Sequence, residues 1–188
     1  MRAAFYLGLL ASVFMVSCND KPTLQKYYVD NSERKGFIVL DVSPDIINTN
    51  KAKLTAEQKK ALESFDKMNI LAFTADSGNQ KEYEEESQKL SQILKDKAIY
   101  QELMKINSGK DGASVSYVGD ENHINEFVFF AKKKENGFAV IRVLGNDMNP
   151  NNIMNIISVL QQSNVNLEQL KPLQGLLRQP ALPATVKD

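Results

Sequence analysis

The chain has 188 residues, 43% hydrophobic and 24% charged, which is enough apolar material for one domain with a real core. Lysine plus arginine and aspartate plus glutamate each total 23, so the basic excess that nucleic-acid binding needs is missing, and no nucleic-acid partner is expected. A single cysteine, Cys18, excludes an internal disulfide framework and any multi-cysteine metal site.

Arg2 is followed by an apolar run over residues 3–16. As a helix that run spans about 21 Å, against about 30 Å of bilayer hydrocarbon, which suits the apolar region of a secretory signal peptide better than a membrane span. It ends in Met15-Val16-Ser17-Cys18, which resembles the bacterial lipoprotein box. That resemblance implies diacylglycerol on the Cys18 thiol, cleavage just before it, and acylation of the new amine. Two or more acyl chains make a stable anchor where one is marginal. The expected organisation is a signal peptide over 1–17, a lipidated tether over 18–22, one domain over 23–170 and a partly disordered tail over 171–188. The tether, Asn19-Asp20-Lys21-Pro22, is polar and contains proline.

Beyond the tether, Leu24, Tyr27 and Tyr28 stand at helical spacing within Thr23 to Arg34, and Gly36 closes that helix. FIVLDV, Phe37 to Val42, is a largely apolar strand of the kind buried in a sheet. Pro44 and Asp45 open a short helical piece through Asn48, with Asp45 as its cap. Thr55, with Gln58 three positions on, forms a capping-box pattern for a helix to about Phe65. MNILAFTA, residues 68–75, is a second buried strand, and Asp76 to Asn79 a turn. An apolar stripe from Tyr83 to Met104 predicts a long helix over Gln80 to Ile106, with a break near Asp96.

A strand meander follows: residues 114–118, 124–132 and 138–145, with Asn136-Gly137 as the strongest hairpin signal. Asn149-Pro150 starts a helix through Gln161, with Ile153, Ile156, Ile157 and Leu160 on one face. The tail carries Leu167, Leu170, Leu173, Leu176 and Leu177, interrupted by prolines that limit its helicity. The expected class is α+β: about five strands in a mixed, mostly antiparallel sheet, with helices layered on one face.

This order of elements resembles a domain-of-unknown-function family of small lipoproteins common in Bacteroidota. The resemblance rests on Gly36-Phe37-Ile38-Val39 with Ser43-Pro44, on Tyr100-Gln101-Glu102-Leu103-Met104, and on Leu144-Gly145-Asn146. It implies a lipid-anchored envelope protein and brings no catalytic residues with it.

Signals for catalysis are sparse. With Cys18 consumed by lipid, a nucleophilic centre has to use His123, the only histidine, which stands in a turn without evident orienting partners. Asp41 and Asp45 around Ser43, and Asp147, lack the ligand spacing of a calcium loop. Glu84, Glu85 and Glu86 point about 100° apart on a helix and read as a solvated face. Lys132-Lys133-Lys134 reads as a hairpin tip able to touch an anionic surface. No phosphate loop is present, and Ser108 to Gly112 reads as a plain turn.

No cofactor, metal site or catalytic residue is therefore assigned; Cys18, as the lipidation site, is the one functional residue expected. The expected protein is non-enzymatic and lies in the bacterial envelope, lipid-anchored on the periplasmic or surface face of the outer membrane. It contacts the membrane through Cys18 and binds an envelope protein, with Leu167 to Leu177 as first candidate surface. The alternative is a small-ligand or lipid-binding module with a pocket lined by Phe73, Phe127, Phe129 and Phe138. A hydrolase using His123 or scattered carboxylates is the remaining option.

Overall fold

The computed structural model describes residues 21–48, 53–162, 164–165 and 171. The expected signal peptide, Cys18, and the leucines from Leu167 to Leu177 lie outside these residues.

The elements run α1 (Leu24–Asn31), β1 (Phe37–Val42), a 3-10 turn (Pro44–Ile46), β2 (Ile47–Asn48), α2 (Ala56–Glu63), β3 (Phe65–Thr74) and α3 (Gln80–Ile93). They continue with β4 (Gln101–Ser108), β5 (Asp111–Asp120), β6 (His123–Lys133), β7 (Gly137–Met148), α4 (Pro150–Gln162) and β8 (Asn164–Val165). Six strands form one antiparallel sheet in the order β1-β3-β7-β6-β5-β4, and β2 pairs with β8 separately. The class is α+β, as the sequence predicts, with six strands in the main sheet where about five were expected.

Local chemistry explains several boundaries. The Thr23 hydroxyl accepts the Lys26 N–H at 3.1 Å and caps α1. In α2 the capping box closes in both directions, Gln58 N–H to Thr55 Oγ1 at 3.2 Å and Thr55 N–H to Gln58 Oε1 at 2.9 Å. The cap of the 3-10 turn is Ser43, and Asp45 lies inside the turn, so the expected capping role of Asp45 does not hold.

The helix expected over Gln80 to Ile106 is two elements. α3 stops at Ile93, because Asp96 takes over the chain: its carbonyl accepts from Ile99 and Tyr100, and its carboxylate from the Ala98 N–H. Gln101 to Ser108 then forms β4, paired with β5 through a two-residue loop, Gly109-Lys110. Gly109 sits at φ 62°, which suits the first position of such a loop.

Helices also cover both faces of the sheet, not one. On β3, Leu71 and Phe73 face α1 and α3, together with Val128, Phe130, Phe138 and Val140. Ile70 and Ala72 face the other way, toward α2 and α4, together with Phe127, Val143, Ile153 and Val159. A strand that is apolar at consecutive positions has to be covered twice, since side chains alternate between faces. On the α1/α3 face, Phe73 and Phe138 stack at 5.4 Å and Phe37 meets Phe73 edge-on at 5.0 Å. Aromatic pairs of this kind add about 1 kcal/mol beyond the area they bury.

Candidate functional site

The apolar pocket expected from four phenylalanines does not form. Phe73 and Phe138 are buried on one face of the sheet, and Phe127 and Phe129 pack on the other. Alternation along β6 separates Phe129 from Phe130, so no single cavity can take all four.

An open groove occurs farther along the α1/α3 face. α3 lies over β7, while β5 and β4 extend beyond it to the sheet edge. In the space between, β5 presents Gly112, Ser114 and Ser116, and α3 presents Ser87 and Ser91, so small side chains leave a gap of about 490 Å³. That volume lies in the range of small-molecule sites. Tyr83 and Phe130 close its inner wall, and burial, with Asp111 and Glu84 next, raises the Tyr83 phenol pKa.

The rim is basic. Lys95, Lys105, Lys110, Lys132 and Lys134 line the groove, against Glu84 and Glu102 alone among acidic groups. Both acids are already engaged, Glu84 with Lys110 at 3.8 Å and Glu102 with Lys105 at 3.3 Å. Lys95, Lys132 and Lys134 have no ion pair among the described residues. Among the described residues the fully buried side-chain polar atom without a partner is Gln80 Oε1, outside the groove. Ser116 is buried as a residue, but its hydroxyl has no hydrogen-bond partner among the described residues and faces the groove. Ser87 and Ser91, by contrast, donate to the carbonyls of Glu84 and Ser87.

Beside the groove lies a charged clamp between α1 and α3. Glu86 is buried, not solvated as the sequence reading has it. It accepts from Tyr27 Oη at 2.7 Å, Arg34 Nη1 at 3.0 Å and Lys89 Nζ at 2.8 Å. Burial pulls the Glu86 pKa up, but the hydrogen bonds from Lys89, Tyr27 and Arg34 outweigh it and leave the carboxyl below its ordinary value. The signal was in the spacing: Glu86 falls three residues after Tyr83 and four before Leu90, on the buried stripe. Glu84 and Glu85 are exposed, as expected.

The remaining sequence candidates scatter. His123 is 66% exposed and its ring meets only Asp120, at 3.2 Å. The Asn122 backbone N–H, then the His123 ring, lower the Asp120 pKa in what is a turn-closing arrangement. Asp41 accepts a hydrogen bond from Asn69 on the neighbouring strand. Asp147 takes a left-handed backbone, φ 52°, near the end of β7. No group of three or more His, Cys, Asp or Glu side chains among the described residues is placed to hold a metal ion. Lys132 and Lys134 belong to the groove rim, and this assembly of lysines from separate elements was not visible in the sequence.

Residues 27–156 match the family model described as Domain of unknown function (DUF4252), and the chain belongs to that family. No curated protein and no solved structure matches the chain significantly.

Proposed function

We propose that this member of the DUF4252 family is a lipid-anchored bacterial envelope protein that works by binding and not by catalysis, at the outer membrane. The observation that carries the binding role is the open, lysine-rimmed groove between α3 and strands β4–β6, with an unpartnered Ser116 hydroxyl in its wall. The anchor rests on Met15-Val16-Ser17-Cys18, the lipoprotein-box resemblance. Thr23, the cap of α1, lies five chain steps after Cys18, which can span at most about 18 Å. α1 packs on the same sheet face that bears the groove. An anchor at Cys18 therefore keeps that face within reach of the membrane surface or of components bound there.

Two measurements test this. Metabolic labelling with a fatty acid should mark the wild-type chain and not Cys18→Ala, and the variant should leave the membrane fraction. Labelling of both forms would refute the anchor. A photo-crosslinker at position 114 should trap an envelope component in living cells, whereas one at exposed Lys59 on α2 should not. Equal yields from the two positions would refute the binding role of the groove.

A further inference from the structure

We propose that the groove between α3 and strands β4–β6 takes a phosphate-bearing polar headgroup. This rests on the reading of the groove as the binding surface and names the chemistry that it recognises. The chain as a whole is neutral, so the lysine excess here is local. Clefts lined by one sign of charge concentrate counter-ions and hold them more strongly than a flat surface does. With Glu84 and Glu102 each held by a lysine, Lys95, Lys132 and Lys134 remain to meet an anion.

The groove discriminates among anions by what lies under those lysines. No arginine lines it, so the flat two-point contact that favours planar carboxylates is missing, while lysine ammonium groups bind phosphate as point charges. Beneath them the wall offers hydroxyls and an amide. Ser114, Ser116 and Asn107 have no side-chain hydrogen bond among the described residues and line the groove. The Ser116 hydroxyl, free of protein partners among the described residues and open to the groove, is available to a ligand oxygen. A polyol phosphate supplies both parts, charge for the rim and hydroxyls for the wall.

Such a ligand exists as a phospholipid headgroup or as a free polyol phosphate, and the experiment separates the sources. The full chain in neutral-detergent micelles is titrated with glycerol 1-phosphate and, separately, with phosphatidylglycerol or phosphatidylcholine doped into the micelles, following backbone amides by NMR. Saturable shifts of Gly112, Ser114 and Ser116 with glycerol 1-phosphate are expected. If phosphatidylglycerol binds and phosphatidylcholine does not, the source is lipid. If neither lipid binds and glycerol 1-phosphate does, the source is the free compound. Each neutralised lysine should weaken binding about 5-fold, so Lys95→Gln with Lys132→Gln should weaken it about 25-fold, while Lys59→Gln changes nothing. The proposal is overturned if no phosphate probe saturates these amides, or if the paired substitution leaves the affinity unchanged. Crosslinking from position 114 would still report in that case, so a groove that binds something other than phosphate is told apart from one that binds nothing.

Discussion

Tyr27 and Glu86, 59 positions apart in sequence, meet at 2.7 Å in the seam between α1 and α3, the phenol donating to the carboxylate. Arg34 and Lys89 complete the charge balance of Glu86 from the outer side of the seam. Docking of α1 beside α3 thus depends on a buried anion that is satisfied on every side. Replacing Glu86 by alanine leaves the Tyr27 hydroxyl without its acceptor and empties space beside it. The expected loss is about 2–3 kcal/mol of stability, measured by urea unfolding. Tyr27→Phe removes one neutral donor and should cost about 1 kcal/mol. A Glu86→Ala protein as stable as wild type would mean that the seam is held by apolar contacts alone.

The same carboxylate sets a pH dependence. Its folded pKa lies below the ordinary value, because hydrogen bonds from Lys89, Tyr27 and Arg34 outweigh the opposing effect of burial. In the unfolded chain a glutamate titrates near pH 4.3, roughly. Between the two values the unfolded state binds more protons, so stability falls as pH drops through that window. Above about pH 4.3 the contribution is complete. Urea midpoints taken from pH 6 down to pH 3 should decline for wild type and decline less for Glu86→Gln. Parallel curves for the two proteins would rule Glu86 out as the source.

At the alkaline end the sign reverses. Tyr27 and Tyr28 are both pushed well above the ordinary phenol range, chiefly by burial. For Tyr27 the bond to Glu86 adds to this, while for Tyr28 the nearby Arg142 works against it. Tyr28 also donates to the carbonyls of Val140 at 2.7 Å and Asn69 at 3.0 Å, so it ties α1 to β7 and β3. Unfolded tyrosine ionises near pH 10, roughly, while the folded phenols stay neutral there. The folded state then holds more protons, and stability falls as pH rises above about 10. Thermal melts at pH 9 and 10.5 should show a larger loss for wild type than for Tyr28→Phe, although the variant is less stable at neutral pH.

The parts of this fold legible in the sequence are those set by neighbours along the chain. Asn136-Gly137 marked the β6–β7 hairpin, and Thr55 with Gln58 marked the start of α2, because turn and cap chemistry acts over a few residues. Gln101 to Ser108 misled for a physical reason. Leu103 and Met104 continue the helical stripe of α3 yet also serve in an edge strand, and the choice is made by pairing with β5, a partner the segment does not contain. The apolar run Ile70 to Phe73 already implied cover on both faces, which the one-sided layering overlooked. The lysine groove was hidden more deeply, since Lys95, Lys105 and Lys132 come together only through the strand order.

Two glycines with left-handed backbones make a contrast between strain alone and strain with collision. Gly109, at φ 62°, has open space where a side chain would go. Gly109→Ala should therefore cost about 1 kcal/mol, from backbone strain only. Gly137, at φ 119°, starts β7 beneath the end of β3, and a Cβ there would run into the Phe73 carbonyl. Relief requires the β3–β7 pairing to open beside the Phe73–Phe138 stack. Gly137→Ala should cost upward of about 3 kcal/mol or abolish folding. Similar urea midpoints for the two variants would show that the β3–β7 end is loose enough to absorb a methyl group.

Arg142 and Glu126 offer the last test, because here burial and pairing pull in opposite directions. The guanidinium meets the carboxylate through two bonds, Nε to Oε1 at 2.8 Å and Nη2 to Oε2 at 2.9 Å, with both side chains nearly buried. Gln25 of α1 accepts from Nη1 at 2.5 Å, and the guanidinium lies 5.5 Å from the centre of the Tyr28 ring. Removing water from both ions costs several kcal/mol, which their attraction recovers only while the geometry holds. Glu126→Ala should therefore destabilise by about 3–5 kcal/mol, since it strands a buried cation. Replacing both, Glu126→Leu with Arg142→Met, removes the two charges together and should recover most of that loss. A double variant as unstable as Glu126→Ala would mean that Gln25 and Tyr28 depend on the arginine itself. In that case the buried charge holds α1 in register on the sheet, and apolar filling cannot replace it.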